Sequence, residues 1–360
     1  MNLDLFKDPK LARDLLNGIA SLDIGEVNLM EVCGTHTAAI GKSGLRSVLP
    51  DNVHLLSGPG CPVCVTSNAD IDTIIALAKI EGVTLATFGD MIRVPGSSTT
   101  LQECKAQGSD VQVVYSPLDA LDLARRNPER QVVFVGVGFE TTAPLVAVTI
   151  KRAYDEGIPN FSVICVHKNM PHALETLVKD PQVNLDALIL PGHVSTIIGS
   201  EPYEFLAHEY GIGGVVTGFE TVDILQGIAM LLHQIASGEP KIEIAYVRGV
   251  APEGNKVAMA MIDEVFEECE SIWRGLGPID RSGYRIRSKY AEFDALERFS
   301  PVVEETVEHA GCRCAEVLRG TMPPSKCPLF RKVCTPSNPV GPCMVSSEGS
   351  CSAYYKYQID

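Results

Sequence analysis

The sequence predicts an α/β protein built on parallel sheet and closed by a cysteine-rich terminal part. Three observations predict it. Between about residues 25 and 250 stand eight short apolar runs: VNLMEV, VHLLSG, VTLATFG, VQVVYS, VVFVGVG, FSVICVH, ALILPGH and GVVTGF. They are nearly continuous in hydrophobicity rather than alternating, as strands covered on both faces are. Amphipathic helical patterns stand between them, the alternation that specifies parallel sheet. Beyond residue 300 the chain becomes rich in Pro, Cys and Ser without a period. Such a segment cannot make its own apolar core and needs a disulfide or metal staple.

Taken in order, the N-terminal MNLDLFKDPKLARDLLNGIA reads as a short amphipathic helix. It lacks the apolar stretch of a secretory signal, so a cytoplasmic location is expected. Ser116-Pro117-Leu118-Asp119 after VQVVYS is a helix start, with Ser as N-cap, Pro at the first position and an acid at the third. GNKVAMAMIDEVFEECESIW reads as one long helix with Val257, Met261, Val265 and Trp273 on one face. Eight strands can close a (β/α)8 barrel or divide into two doubly wound sheets, and periodicity alone does not choose. An echo of GFETTAPLV (138–146) in GFETVDILQ (218–226) favours two related halves only slightly.

The formal charge of −15 excludes nucleic acid and anionic membrane as natural partners. No apolar run approaches the ~20 residues that span a bilayer. The 360 residues hold 12 cysteines, which in a large cytosolic chain points to metal binding or redox chemistry. Cys104, Cys165 and Cys269 are scattered and read as packing residues.

Ligands of parallel sheets bind at the carboxyl ends of the strands. Here those turns carry reactive groups: Cys33 and His36 in CGTHT, Cys61 and Cys64 in PGCPVC, Asp90 and Arg93 in DMIRVPGSS. Glu140, Thr141 and Thr142 follow in FETT, then His167, Lys168 and His172 in HKNMPH, and His193 in HVST. Each alone is more often a cap or a packed residue; together they suggest one shared site. Cys61-Pro62-Val63-Cys64 has the spacing of a redox pair across the first turn of a helix, where the helix N-terminus favours thiolate. Half of a metal site, or an inert turn, are the alternatives; the zinc reading lacks a second pair at suitable spacing. Cys33 can attack that pair by thiol–disulfide exchange, or bind a soft metal with His193 beside it.

At the other end, Cys312, Cys314, Cys327, Cys334, Cys343 and Cys351 exceed the four thiols that one iron–sulfur cluster needs. Their irregular spacing suits a loop wrapped round an inorganic core, and does not say which four ligate. There is no P-loop and no G-x-S-x-G, and Gly136-Val137-Gly138 is only a fragment of a dinucleotide-binding pattern.

MEVCGTHT, GPGCPVCVT, FGDMIRVPGS, GFETTAP, PGHVSTIIG and CTPSNPVGPCMVSSEGSCSAYYKY resemble the HypD family of hydrogenase maturation factors, from residue 30 to 357. The resemblance implies two half-Rossmann-like parallel-sheet domains facing a cleft, plus a third, Cys-rich iron–sulfur domain. The expected division is 25–118, 119–254, and 1–24 with 255–360. It implies assembly of the Fe(CN)2CO unit of [NiFe]-hydrogenases with a HypC-like chaperone. Cyanide would come from HypE, charged upstream by HypF, and the hydrogenase large subunit would be served indirectly. It implies Cys33 as the thiol on that iron, His193 near it, and Cys61 and Cys64 as an exchangeable dithiol. It implies Cys312, Cys327, Cys334 and Cys351 as [4Fe–4S] ligands, with Cys314 and Cys343 as a disulfide beside the cluster. Asp90, Arg93, Glu140 and Thr141 are expected to orient diatomic ligands or the partner's tail. The expected activity is that of a redox scaffold rather than a conventional turnover enzyme. The competing readings are a stand-alone thiol–disulfide oxidoreductase using Cys61 and Cys64, and a zinc-stapled interaction module.

Overall fold

The computed structural model describes residues 7–357. All eight apolar runs form strands: β1 (Val27–Glu31), β2 (Val53–Ser57), β3 (Val83–Thr87), β4 (Asp110–Val113), β5 (Gln131–Gly136), β6 (Phe161–Cys165), β7 (Ala187–Pro191) and β8 (Gly213–Thr217). A ninth, β9 (Ile242–Ile244), follows. They make two open, all-parallel sheets, in the orders β2-β1-β7-β8-β9 and β4-β3-β5-β6. Two open sheets exclude the barrel.

The division at residue 118 is corrected. The chain leaves the first sheet after β2, builds the whole second sheet from β3 to β6, and returns to pair β7 with β1. Residues 83–165 are thus inserted between the two parts of the first sheet. The N-terminal helix Pro9–Ala20 packs on the helix Thr221–Ser237 of that sheet rather than on the terminal part. Ile19 there shares a core with Ile224, Leu225 and Ile228. Residues 1–6 of the expected N-terminal helix lie outside the described residues.

The single long helix expected from residue 254 is also corrected. The helix Lys256–Val265 stops at its own length, and Phe266–Trp273 (β10) pairs antiparallel with Gly277–Ile286 (β11). Val257 is exposed, whereas Trp273 is fully buried, its indole N–H donating to Ser282 Oγ at 2.9 Å. The Ser116 cap forms as expected, its hydroxyl accepting from Leu118 N–H at 3.2 Å.

A contiguous core joins the inner faces of both sheets to the terminal segment: Met30, Leu85, Val133 and Leu190 pack in one cluster with Cys61, Cys64, Cys314 and Cys343. No helix among the described residues is long and apolar enough to cross a membrane.

Candidate functional site

Each sheet has one point where strand order reverses, and a crevice opens there at the carboxyl ends. In the first sheet it lies between β1 and β7, in the second between β3 and β5. The two points face each other across a cleft of about 530 Å³. Cys33 follows β1, Pro62 and Val63 follow β2, Asp90 follows β3, Thr141 and Thr142 follow β5, and His193 follows β7; all line it. So does Glu348, from the terminal segment.

Cys33 caps the helix Gly34–Ser43 in extended conformation. The N–H groups of Thr35 and His36 favour its thiolate, but burial outweighs them, and Glu348 and Glu31 nearby add to it; its pKa is pushed up to about 12. It is therefore held as a thiol at neutral pH. Below it, Glu31 is fully buried, accepting from Cys33 N–H at 3.2 Å and from the Thr37 hydroxyl. Burial raises the Glu31 pKa to about 7, although the Thr37 and Ser57 hydroxyls oppose it.

Two glycines allow the close approach. A Cβ on Gly60 would stand 2.1 Å from Cys33 N, and one on Gly34 would stand 2.5 Å from Glu348 Cβ. The first brings the CPVC turn against Cys33; the second lets the terminal segment lie over it. Thr35 Oγ1 then donates to Glu348 Oε1 at 2.8 Å, and Ser346 Oγ donates to Asp90 Oδ2 at 3.0 Å. The terminal segment thus holds both sides of the cleft.

Cys61 caps the short helix Pro62–Val65 and is disulfide-bonded to Cys64, with Cα atoms 5.2 Å apart. Both cysteines are buried, and the cleft meets Pro62 and Val63 instead. The pair lies beneath the cleft floor, out of reach of a bulky disulfide substrate. The helix Pro342–Val345, which carries Cys343, packs against Pro62–Val65.

His193 stands exposed at the lip, stacked on Phe219 with centroids 3.9 Å apart. Partial burial lowers its pKa, while Glu348 pulls the other way. His36 packs behind Phe219 and its Nε2 meets Gly218 O and Thr217 Oγ1, both at 2.9 Å. Burial pushes its pKa down to about 4, so it is neutral and structural.

Three expectations need correction. Glu140 does not face this cleft: its neighbours Thr141 and Thr142 do, and the turn sends its side chain to the opposite side. There its Oε1 accepts from Met170 N–H at 2.9 Å. Arg93 instead donates to Pro336 O at 3.0 Å, tethering the terminal segment. The HKNMPH turn also lies elsewhere, with Lys168 buried between Asp70 Oδ2 at 3.1 Å and Ser271 Oγ at 2.6 Å. Sequence reasoning missed Glu348. Its signal was present: it is the one ionisable residue between Cys343 and Cys351.

At the far end, Cys312, Cys314, Cys327, Cys334 and Cys351 line one pocket walled by Leu329, Phe330 and Met344. Cys314 contacts both Cys312 and Cys343, but the expected Cys314–Cys343 disulfide is not formed, both being free thiols. A Cβ on Gly341 would stand 2.7 Å from Cys312 Sγ and 3.1 Å from Cys314 Sγ, so glycine keeps the sulfurs' side open. The free space is about 10 Å³, and an inorganic core would have to part the walls. Among the described residues no three His, Cys, Asp or Glu side chains are set to hold a single metal ion. Soft sulfur donors round an apolar-walled pocket are the donor type that an iron–sulfur core takes.

The chain matches the family model HypD, described as the hydrogenase formation hypA family, over residues 10–358. It is 48% identical to the hydrogenase maturation factor HypD of Rhodobacter capsulatus, over 98% of this chain and 97% of that one. It is 44% identical to the namesake from Rhizobium leguminosarum bv. viciae, over 99% and 95% of the two chains. To that of Escherichia coli (strain K12) it is 45% identical, over 92% and 89%. On a model match and on identities spanning nearly the whole length, the chain belongs to the HypD family of hydrogenase maturation factors.

Proposed function

We propose that this chain is the redox-active scaffold on which the Fe(CN)2CO group of [NiFe]-hydrogenases is assembled together with a HypC-like chaperone. HypE, charged by HypF, would deliver the cyanide, and the hydrogenase large subunit would be the eventual recipient. The observation that carries this reading is the convergence of Cys33 and His193 at one switch point, directly above a buried Cys61–Cys64 pair.

The cargo iron, low-spin and soft with cyanide and carbonyl ligands, suits a thiolate anchor. Binding at Cys33 would release the thiol proton, and Glu348 is a carboxylate on the same cleft wall whose charge bears on that thiol. His193 would stand beside the iron, on a ring oriented by its stack on Phe219. Asp90, held by Ser346, would aim a hydrogen bond at a ligand or at the partner's tail. A [4Fe–4S] cluster bound by Cys312, Cys327, Cys334 and Cys351 would supply single electrons. Contact between Cys314 and Cys343, and the packing of the Cys343 helix on the CPVC helix, supports a route by which the Cys61–Cys64 disulfide takes up two electrons and two protons. The burial of both sulfurs argues against turnover of free disulfides.

The test is anaerobic co-purification with a HypC-like chaperone, with metal analysis and infrared spectroscopy. The complex should be brown and show cyanide and carbonyl bands. Cys33→Ala should lose those bands and the associated iron while keeping the visible absorption of the cluster. A colourless, zinc-containing protein would overturn the reading.

A further inference from the structure

On the side to which Glu140 turns lies a second cleft, of about 610 Å³, between the second sheet's last turn and the β10–β11 ribbon. Nothing in the iron-assembly reading uses it. At its base are two buried oxygens without a hydrogen-bond partner, Glu140 Oε2 and Asn169 Oδ1. Glu140 is 1% exposed and Asn169 5%. The Asn169 amide is oriented by its own contacts: Nδ2 donates to Glu268 Oε1 at 3.0 Å and to Tyr284 Oη at 3.4 Å, which leaves Oδ1 free. A buried acceptor left unpaired is costly, and both residues line the cleft from which a donor can come.

The walls say which donor. Besides Glu140, five acids line the cleft; Glu175 is paired with Lys179 and Glu268 with Arg281 and the lining His172, while Glu209 and Asp263 add further negative charge. The basic Arg287 on the wall is paired with Glu267. An acidic, partly enclosed cleft concentrates cations. A bare metal ion is disfavoured, since among the described residues no three such ligands converge on one point. The opposite wall is apolar, made by Ile198, Pro202, Phe205, Met259 and Phe266. That pairing of acceptors at the base with hydrocarbon along the side is complementary to a cationic nitrogen on an alkyl stem.

We propose that this cleft binds an organic cation, a guanidinium or ammonium group donating to Glu140 Oε2 and Asn169 Oδ1 with its aliphatic stem along Phe205 and Met259. The cation is either a free small molecule or an arginine or lysine side chain of a partner protein. The site is separate from the Cys33 cleft, and its existence does not depend on the iron-assembly function.

Isothermal titration calorimetry on the full chain, purified without oxygen, tests it. The probes are agmatine, Nα-acetyl-arginine N-methylamide and neutral N-butylurea. Agmatine should bind with a Kd below about 1 mM, and N-butylurea at least tenfold more weakly. Glu140→Gln should weaken agmatine at least tenfold. Met259→Lys, which places a tethered ammonium in the cleft, should abolish binding while circular dichroism shows a folded protein. Binding of the blocked arginine as well assigns the site to a partner's side chain; agmatine alone assigns it to a free ligand. Absence of heat with both cationic probes at millimolar concentration overturns the proposal. So does equal affinity for N-butylurea, or unchanged affinity in a folded Glu140→Gln protein.

Discussion

Beneath Cys33, the buried Glu31 carries a pKa raised to about 7, well above its value in an unfolded chain. The native state therefore binds this proton more tightly than the unfolded one does. The resulting stability is complete below about pH 4.5 and is lost as pH rises through about 7. Glu31→Gln keeps an acceptor for the Cys33 N–H and removes the charge. The variant should melt close to the parent at pH 5 and above it at pH 8, by an amount on the order of 3 kcal/mol for the shift involved. Thermal melts across that range check it; a gap that narrows with rising pH would contradict it. His36 works in the opposite sense: its depressed pKa costs stability as pH falls below about 6.5. At this scale Cys33, Asp90 and His193 were legible because each directly follows a strand. Glu140 was misread because the side to which a turn residue points is set by backbone geometry, not by order. Glu348 was missed because its place depends on a contact with Thr35 more than three hundred residues away.

Elements were legible where hydrophobicity is continuous, hence the eight strands. The β10 strand was not, for two reasons. FEECESIW is rich in glutamate, a good helix former. Its burial alternates through Cys269–Ser271, but the half-buried face carries Glu267 and Ser271 and the exposed face Ile272, so no apolar–polar alternation marks the strand. The short helix of the CPVC turn was legible from its Pro and spacing, but its closeness to Cys33 was not, since that rests on Gly60. Gly60→Ala should force the turn and the Cys33 backbone apart. Stability should fall by about 1–3 kcal/mol, as for other overpacked sites. Iron retention in the purified complex should fall with it. Chemical denaturation and metal analysis measure the two effects; unaltered iron content alongside lost stability would show the approach to be structural only.

Across the whole molecule, the terminal cysteine segment is the clasp. Ser346 holds Asp90 from one sheet, and Glu348 holds Thr35 from the other. Anything that opens the cysteine pocket should therefore loosen both. On the proposed cluster reading, removing iron with a chelator under oxidant should raise amide exchange in Gly34–Ser43 and in Gly89–Arg93 together, by about tenfold or more. Loosening confined to residues 312–351 would show that the clasp does not depend on the metal. Sheet membership was the least legible feature at this scale. β1 and β2 look like β3 and β4 in composition, and only long-range pairing separates them.

That interleaved pairing also orders the protein's birth. β1 leaves the ribosome with β2 at one edge, but its other neighbour, β7, begins 130 residues after β2 ends and 160 after β1 begins. At the usual pace of synthesis this is a wait of roughly ten seconds. In that interval the second sheet can finish on its own, while Cys33 stands at an open edge with neither His193 nor Glu348 yet in existence. Cys33 is thus sheltered late, once the segment that carries Glu348 has emerged. A nascent chain stalled before that point would leave Cys33 open to oxidants and stray metals, without the burial that raises its pKa in the finished fold.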